Sequence, residues 1–231
     1  MTQQRRSVLV TGGSRGIGHA VVEELSKDHH VLVGGTRPDT VNEVVGQLDD
    51  AEPFIADLTD PQAVAGAVAA VDRLDAVVHS AGTYGSGNPL AQTPRSEWRD
   101  VLELNVVAVA DLTAQLLPLL RDSHGQIVMI NSGSGLHRPG PRAGVYAASK
   151  YALRALTDAL REEERGAVRV TTVYPGRVNT DMQVNRQHQM GHEYAPDEHL
   201  RPESIAAAVR MALEASSEAM VEDVSVRPVV K

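Results

Sequence analysis

Thr11-Gly12-Gly13-Ser14-Arg15-Gly16-Ile17-Gly18 is the stretch on which the reading of the chain turns. Before it runs an apolar segment, Val8-Leu9-Val10, and after it Ala20-Val21-Val22-Glu23-Glu24-Leu25, with apolar residues at helical spacing. Strand, glycine-rich turn and helix in that order make a site for the phosphates of a dinucleotide. A phosphate needs donors, and the unpaired N–H groups at a helix start provide them. Glycine serves here because a Cβ would hold a pyrophosphate away from the backbone, and because a turn out of a strand can require φ above zero. Three residues, then one, separate Gly12, Gly16 and Gly18, so the spacing is not Gly-x-Gly-x-x-Gly.

The remainder of the chain fits one domain around this turn. A length of 231 residues suits a single α/β unit with a substantial core rather than two units. Acids outnumber bases 30 to 22, the formal net charge is −8, and no basic run exceeds Arg5-Arg6, which argues against a nucleic-acid partner. Without cysteine there is no disulfide, thiolate metal site or thiol nucleophile. Polar residues lead straight into the first strand and no segment is expected to approach a membrane span, so the expectation is a soluble cytoplasmic protein with no membrane partner.

Strand patterns at 7–11, 30–36, 52–56, 76–79, 126–131, 168–174 and 220–226 alternate with helical patterns at 41–48, 61–71, 98–120, 145–164 and 202–214. This predicts an α/β fold: a single doubly wound Rossmann-type domain over 1–231 with a seven-stranded parallel sheet. Asp60-Pro61 predicts an N-cap and a first helical residue. Residues 183–201, polar and containing Gly191, are expected to form a mobile loop acting as a lid.

Tyr146-Ala147-Ala148-Ser149-Lys150 carries the most specific chemistry. A separation of four puts phenol and ammonium on one helix face. The chain has only three lysines, Lys27, Lys150 and Lys231, and the one in mid-chain falls four residues after a tyrosine. A free phenol has pKa about 10; an adjacent cation is expected to lower it, making Tyr146 an acid or base near neutrality. Upstream, the strand ending in Asn131-Ser132-Gly133-Ser134-Gly135 offers two hydroxyls, 14 and 12 residues before Tyr146. Ser132 is preferred because the strand end fixes it, whereas Ser134 lies in a glycine-flanked turn. His188, His192 and His199 with Glu193 and Asp197 raise a metal site as a rival reading, but Gly191 interrupts the helix that would align the first two, and no metal is expected.

In order along the chain these motifs resemble those of short-chain dehydrogenases/reductases, over nearly its whole length. Thr11 with Gly12, Gly16 and Gly18 resembles the family's Thr-Gly-x-x-x-Gly-x-Gly. His79-Ser80-Ala81-Gly82 is similar to its Asn-Asn-Ala-Gly, with a histidine, expected to be structural, for the first asparagine. Tyr174-Pro175-Gly176-Arg177-Val178-Asn179-Thr180 resembles its Pro-Gly-x-Val-x-Thr. The resemblance implies Asn105, Ser132, Tyr146 and Lys150 as catalytic residues. It implies cofactor contacts from Gly12, Ser14, Arg15, Gly16, Ile17, Gly18, Asp57, Leu58, Ala81, Gly82, Tyr146, Lys150, Pro175, Gly176, Val178 and Thr180. Asp57 matches the family's aspartate at the adenine ring. Asn105 matches the helix asparagine whose carbonyl holds a water beside the lysine; its poor helix propensity predicts a local kink there.

Arg37 follows the second strand, where NAD-preferring folds carry an acid and where an arginine suits a 2′-phosphate. With Arg15 at the phosphate turn, this predicts NADP(H) over NAD(H); Asp39 is expected to cap a helix starting near Thr40. The implied activity is NADPH-dependent reduction of a small-molecule carbonyl to an alcohol, or the reverse, with Ser132 holding the oxygen, Tyr146 giving the proton, and Lys150 lowering the tyrosine pKa and binding the nicotinamide ribose. Alternatives are an NAD(H)-dependent alcohol dehydrogenase of the same family and a catalytically silent NADP(H)-binding sensor. The family pattern also implies a homodimer or homotetramer built on helices 98–120 and 145–164.

Overall fold

Successive residues of a strand point to opposite faces of the sheet, and here both faces are apolar. In β1 (Ser7–Val10), Val8 and Val10 face one core while Leu9 faces the other. The same split recurs at Val31/Val33 against Leu32 in β2 (His30–Gly35), and at Ala76/Val78 against Val77 in β4 (Ala76–His79). It recurs again at Val128/Ile130 against Ile127/Met129 in β5 (Gln126–Ile130). With β3 (Ala51–Ile55), β6 (Arg169–Pro175) and β7 (Asp223–Val226) these form one parallel sheet in the order β3-β2-β1-β4-β5-β6-β7. The computed structural model describes residues 5–191 and 193–229.

Helices cover both faces, so the doubly wound architecture is as expected. One core takes the apolar sides of α1 (Gly16–Leu25), α2 (Pro38–Val45) and α8 (Pro202–Leu213), through Val21, Leu25, Val41, Ile205 and Val209. The other takes α3 (Pro61–Val68), α5 (Ala108–Asp122) and α6 (Gly144–Glu163), through Val64, Leu112, Leu116, Leu153 and Leu160. Two helices remain, α4 (Arg95–Leu102) and α7 (Asp181–Gln189). The chain runs outward from β1 to β3 and returns to β4 beside β1, so the strand order reverses between β1 and β4. A crevice opens at the carboxyl ends of strands at such a reversal.

Several details depart from the sequence reading. The helix expected over 98–120 starts at Arg95 and is broken by a π-helical turn, Glu103–Val107, centred on Asn105. Its whole run, Arg95–Asp122, is long and apolar enough by composition to cross a membrane, contrary to the expectation that no segment is; here Val101, Val109, Leu112, Leu116 and Leu120 are buried in the fold. Residues 183–201 are not one loop, since α7 occupies Asp181–Gln189 and a short 3₁₀ turn Pro196–Glu198. Thr180 accepts a hydrogen bond from the Gln183 N–H and starts α7, an N-cap hidden by the polar composition. Helix α2 begins at Pro38 with Arg37 as N-cap, so Asp39 lies in the first turn and caps nothing; proline's fixed φ suits the first helical position. Asp60 caps α3 as expected, its carboxylate accepting from the Gln62 and Ala63 N–H groups.

Candidate active site

Backbone geometry explains the glycines of the turn. Gly12 and Gly16 adopt φ of +65° and +58°, a region costly for other residues. Gly18 has ordinary φ, but a Cβ there would stand 2.7 Å from the Gly12 carbonyl carbon and closer still to its oxygen, so only glycine lets α1 start this near the turn. Thr11 closes the crevice from beneath. Its N–H donates to the Val78 carbonyl (3.0 Å), and its Oγ1 accepts from the Ser80 and Ala81 N–H groups at 3.0 and 3.1 Å, clamping β1 to the end of β4. Arg15 precedes α1 in extended conformation and makes no side-chain cap, and the first turn holds no acid. The donors at that helix start are therefore not taken by an acid of the helix's own first turn, which suits an anionic group.

A cleft of about 600 Å³ opens over this turn. It is lined by Gly12, Ser14, Arg15, Gly16, Ile17 and Gly18, by Thr36, Leu58, Ala81 and Gly82, and on its outer wall by Thr180 and Arg186. Two expected contacts stand off its lining. Arg37 is exposed beyond Thr36, and the Asp57 carboxylate is taken by its own turn, accepting from the Thr59 N–H (2.9 Å) and Oγ1 (2.8 Å). Those bonds hold the Asp57 carboxyl below its ordinary pKa, the backbone donor contributing most.

A smaller cleft of about 290 Å³ adjoins the first through Ile17, Tyr84, Thr180, Met182 and Arg186, and contains Ser132, Tyr146, Pro175, Gly176 and Val178. Ser132 stands just past β5; its Oγ accepts from the Ser134 N–H (3.1 Å), and it lines the cleft together with Tyr146. The neighbouring Asn131 fixes this turn to α6: its Oδ1 accepts from the Ser132 N–H (2.8 Å) and its Nδ2 donates to the Lys150 carbonyl (3.2 Å). Tyr146 and Lys150 lie on one face of α6, with the Lys150 Nζ 5.8 Å from the phenol ring centre and donating to the Ile130 carbonyl at 3.0 Å. Asn105 sits in the π-helical turn, 1% exposed. Its side chain accepts from the Thr83 N–H (2.8 Å) and donates to the Thr83 carbonyl (2.8 Å) and to Ser149 Oγ (3.0 Å), so the expected kink exists and joins the loop after β4 to α6.

The electrostatics differ from the expectation. Burial pushes the Tyr146 phenol above its ordinary pKa, opposed by the Ser132 hydroxyl and by Arg186. The groups that oppose burial at the phenol are Ser132 and Arg186 rather than Lys150, whose own ammonium burial brings down to about 8. His79 is held near 4 by complete burial and is structural, as expected. Thr113 Oγ1 donates to the Val109 carbonyl (2.7 Å), so the 3.0 Å contact requires His79 Nε2–H as donor; His79 Nδ1 has no hydrogen-bond partner.

Sequence reasoning missed Tyr84 and Arg186. The Tyr84 and Tyr146 rings lie 4.7 Å apart at 39°, and the Arg186 guanidinium covers Tyr84 at 5.0 Å. Both come from segments remote in sequence, and their only advance signal was one tyrosine two residues after Gly82. Of the rival metal ligands, His192 lies outside the described residues, and among the described residues no three His, Asp or Glu side chains gather.

Comparison with known proteins agrees with this geometry. The model of the short chain dehydrogenase family matches residues 6–191. Mouse dehydrogenase/reductase SDR family member 11 is 31% identical over 246 aligned positions, covering 96% of this chain and 94% of that one. Among solved structures, a variant of actinorhodin polyketide ketoreductase with NADPH superposes with TM-score 0.89 at 26% identity, covering 99% and 98% of the two chains. The 3-ketoacyl-(acyl-carrier-protein) reductase of Brucella melitensis, complexed with NADH, superposes with TM-score 0.86 over 96% and 97%; at 22% identity that likeness concerns the fold alone.

Proposed function

The chain belongs to the short-chain dehydrogenase/reductase family, and on that premise we propose that it is an NADPH-dependent oxidoreductase interconverting a carbonyl and an alcohol. One observation carries the reading: the Ser132 hydroxyl and the Tyr146 phenol line the smaller cleft that adjoins the glycine-turn cleft, with the Lys150 ammonium buried 5.8 Å from the Tyr146 ring centre. The cradle fits a nicotinamide dinucleotide, since a cleft of about 600 Å³ opens over the turn at a helix start whose first turn carries no acid. Gly12, Ser14 and Gly16 to Gly18 would hold its phosphates, with Leu58 and Ala81 along the adenosine and Val178 and Thr180 near the carboxamide. When bound, that cofactor supplies or takes up the hydride.

The protein's own part is to orient the substrate and move one proton. Ser132 holds the carbonyl oxygen, and Tyr146 donates its proton as negative charge develops there. A phenol held protonated by burial suits the reducing direction, in which it begins as an acid. Lys150, whose pKa burial brings down to about 8, would hold the ribose of a bound cofactor and, being able to give up a proton near neutrality, replenish the phenol from the side of α6 that the Asn105 turn packs against.

NADPH rather than NADH is favoured by Arg15, which lines the cleft, and by Arg37, exposed one residue beyond the lining Thr36; neither has an ion-pair partner among the described residues. Asp39 points along the first turn of α2, where it complements the helix dipole. The test is oxidation of NADPH and of NADH with a panel of ketones and aldehydes. The reading requires turnover with NADPH, and binding without turnover across the panel would favour the silent sensor instead. We further propose that α7 closes over substrate, to be read as slowed hydrogen exchange at 181–189 in a ternary complex. Self-association through α5 and α6 is supported by Val107 and Tyr151, 51% and 42% exposed, and light scattering at micromolar concentration distinguishes an oligomer from a monomer.

A further inference from the structure

The smaller cleft is strongly cationic in a protein that is otherwise acidic. Arg138, Arg177, Arg186, Arg227 and His137 line it, and no Asp or Glu does, although the chain carries a formal charge of −8. Several arginines elsewhere in the fold face carboxylates, Arg121 meeting Glu164, Arg161 meeting Asp158 and Asp223, and Arg210 meeting Glu24, Asp28 and Glu214; others, Arg15 and Arg37 among them, do not, but these are not gathered in one cleft free of acids. Around the smaller cleft only Arg177 faces a carboxylate, Glu198 at 3.9 Å, while Arg138, Arg186 and Arg227 have no carboxylate partner among the described residues.

Two of the three approach the reacting hydroxyls from different sides. Arg227 follows β7 and brings its guanidinium against Gly133, the residue after Ser132; a Cβ there would fall 2.8 Å from its Nη2 and 2.9 Å from its Cζ, so the glycine makes room for the cation. Arg186 rests on the Tyr84 ring, which in turn rests on Tyr146, and its Nε is buried with no hydrogen-bond partner. Unpaired guanidinium groups gathered beside a reacting hydroxyl raise the local concentration of anions and bind their planar oxygens two at a time.

We infer that the substrate is a carbonyl or hydroxyl compound bearing an anionic group, a carboxylate or a phosphate monoester, which Arg138, Arg186 and Arg227 hold while the reacting oxygen lies at Ser132 and Tyr146. This rests on the oxidoreductase reading of that pair. The cofactor's phosphates do not explain the cluster, because their cradle is in the larger cleft and Arg138 and Arg227 line only the smaller one.

The experiment measures kcat/KM at fixed NADPH for a 3-oxo carboxylate against its methyl ester, and for a phosphorylated hydroxyketone against its parent. It is run at low and high salt in wild type and in Arg138→Gln/Arg227→Gln. Calorimetric titration with the hydroxy acid product and its ester reads binding independently of turnover. The inference requires one anionic partner of a pair to be preferred at least about ten-fold, with the preference falling as salt rises and collapsing in the double variant. The carboxylate and phosphate pairs tell the two anions apart. Equal use of charged and neutral partners, a preference the variant retains, or an effect confined to the KM for NADPH overturns it. If neutral ketones alone are turned over, the oxidoreductase reading stands and this one falls. If the hydroxy acid binds through these arginines and no carbonyl is reduced, the oxidoreductase reading falls while the anion site stands.

Discussion

Replacing Lys150 with methionine should stabilise the protein at neutral pH while removing its activity. The ammonium is 6% exposed, and burial brings its pKa from 10.5 down to about 8. That difference, at about 1.4 kcal/mol per unit, corresponds to a cost of about 3 kcal/mol for keeping the charge inside. Methionine matches the stem in length and carries no charge, but it leaves the Ile130 carbonyl without its 3.0 Å donor, a loss of about 1–2 kcal/mol. The net expectation is a gain of about 1–2 kcal/mol at pH 7. The sign also sets a pH dependence. Because the folded pKa lies below the unfolded one, the unfolded chain binds more protons between pH 8 and 10.5, and wild-type stability from this group rises across that window. The penalty is whole below about 8 and gone above about 10.5. Urea unfolding of both proteins from pH 7 to pH 10.5, read as their difference, cancels other titrating groups. The variant's advantage should shrink steadily and end near or below zero. A variant less stable than wild type at pH 7, or a difference flat across the window, refutes the argument that Lys150 is buried at a cost because the site needs it.

Other outcomes follow from the cofactor cradle. Gly18→Ala puts a Cβ against the Gly12 backbone, which no rotamer change relieves; α1 must retreat by about 1.2 Å to reach ordinary contact. Overpacking of about 1–3 kcal/mol exceeds the helix-propensity gain of about 1 kcal/mol, so thermal stability should fall modestly and NADPH affinity by ten-fold or more, whereas a cradle indifferent to the change would show unaltered affinity by fluorescence titration. Arg37→Asp should weaken NADPH about ten-fold to a hundred-fold and NADH little, since only the former has a 2′-phosphate to repel; wild-type kcat/KM values equal for both cofactors would remove that assignment.

How much was legible in advance depended on how local each interaction is. The glycine turn and the Tyr146–Lys150 pair were readable because their geometry is set by near neighbours: positive φ at Gly12 and Gly16, and a four-residue separation on one helix. The break at Asn105 was foreseeable from propensity, but its π-helical form was not, because Thr83 and Ser149, from a loop and another helix, hold the side chain. Helix α7 was taken for a loop because its sequence, Asp181 to Gln189, is polar apart from Met182 and Val184 and its one helical cue, the Thr180 cap, lies inside a motif read for its other role. The tyrosine pKa was misjudged because spacing reports proximity and not burial. Lys150 is near, yet the dry environment that unites the pair raises the phenol and weakens the cation. Tyr84, Arg186 and Arg227 reach the site from three separate segments, and only the assembled fold brings them there.

Tyr146→Phe tests the central claim most directly, because it removes the one hydroxyl argued to give the proton and leaves the ring against Tyr84. Once a reducible carbonyl is in hand, turnover should fall by about 10²–10⁴-fold while the Kd for NADPH stays within a few-fold, since the phosphate cradle at Gly12 to Gly18 is untouched. Turnover retained at near wild-type rate, with the variant folded and NADPH bound, would mean that the chemistry is done elsewhere.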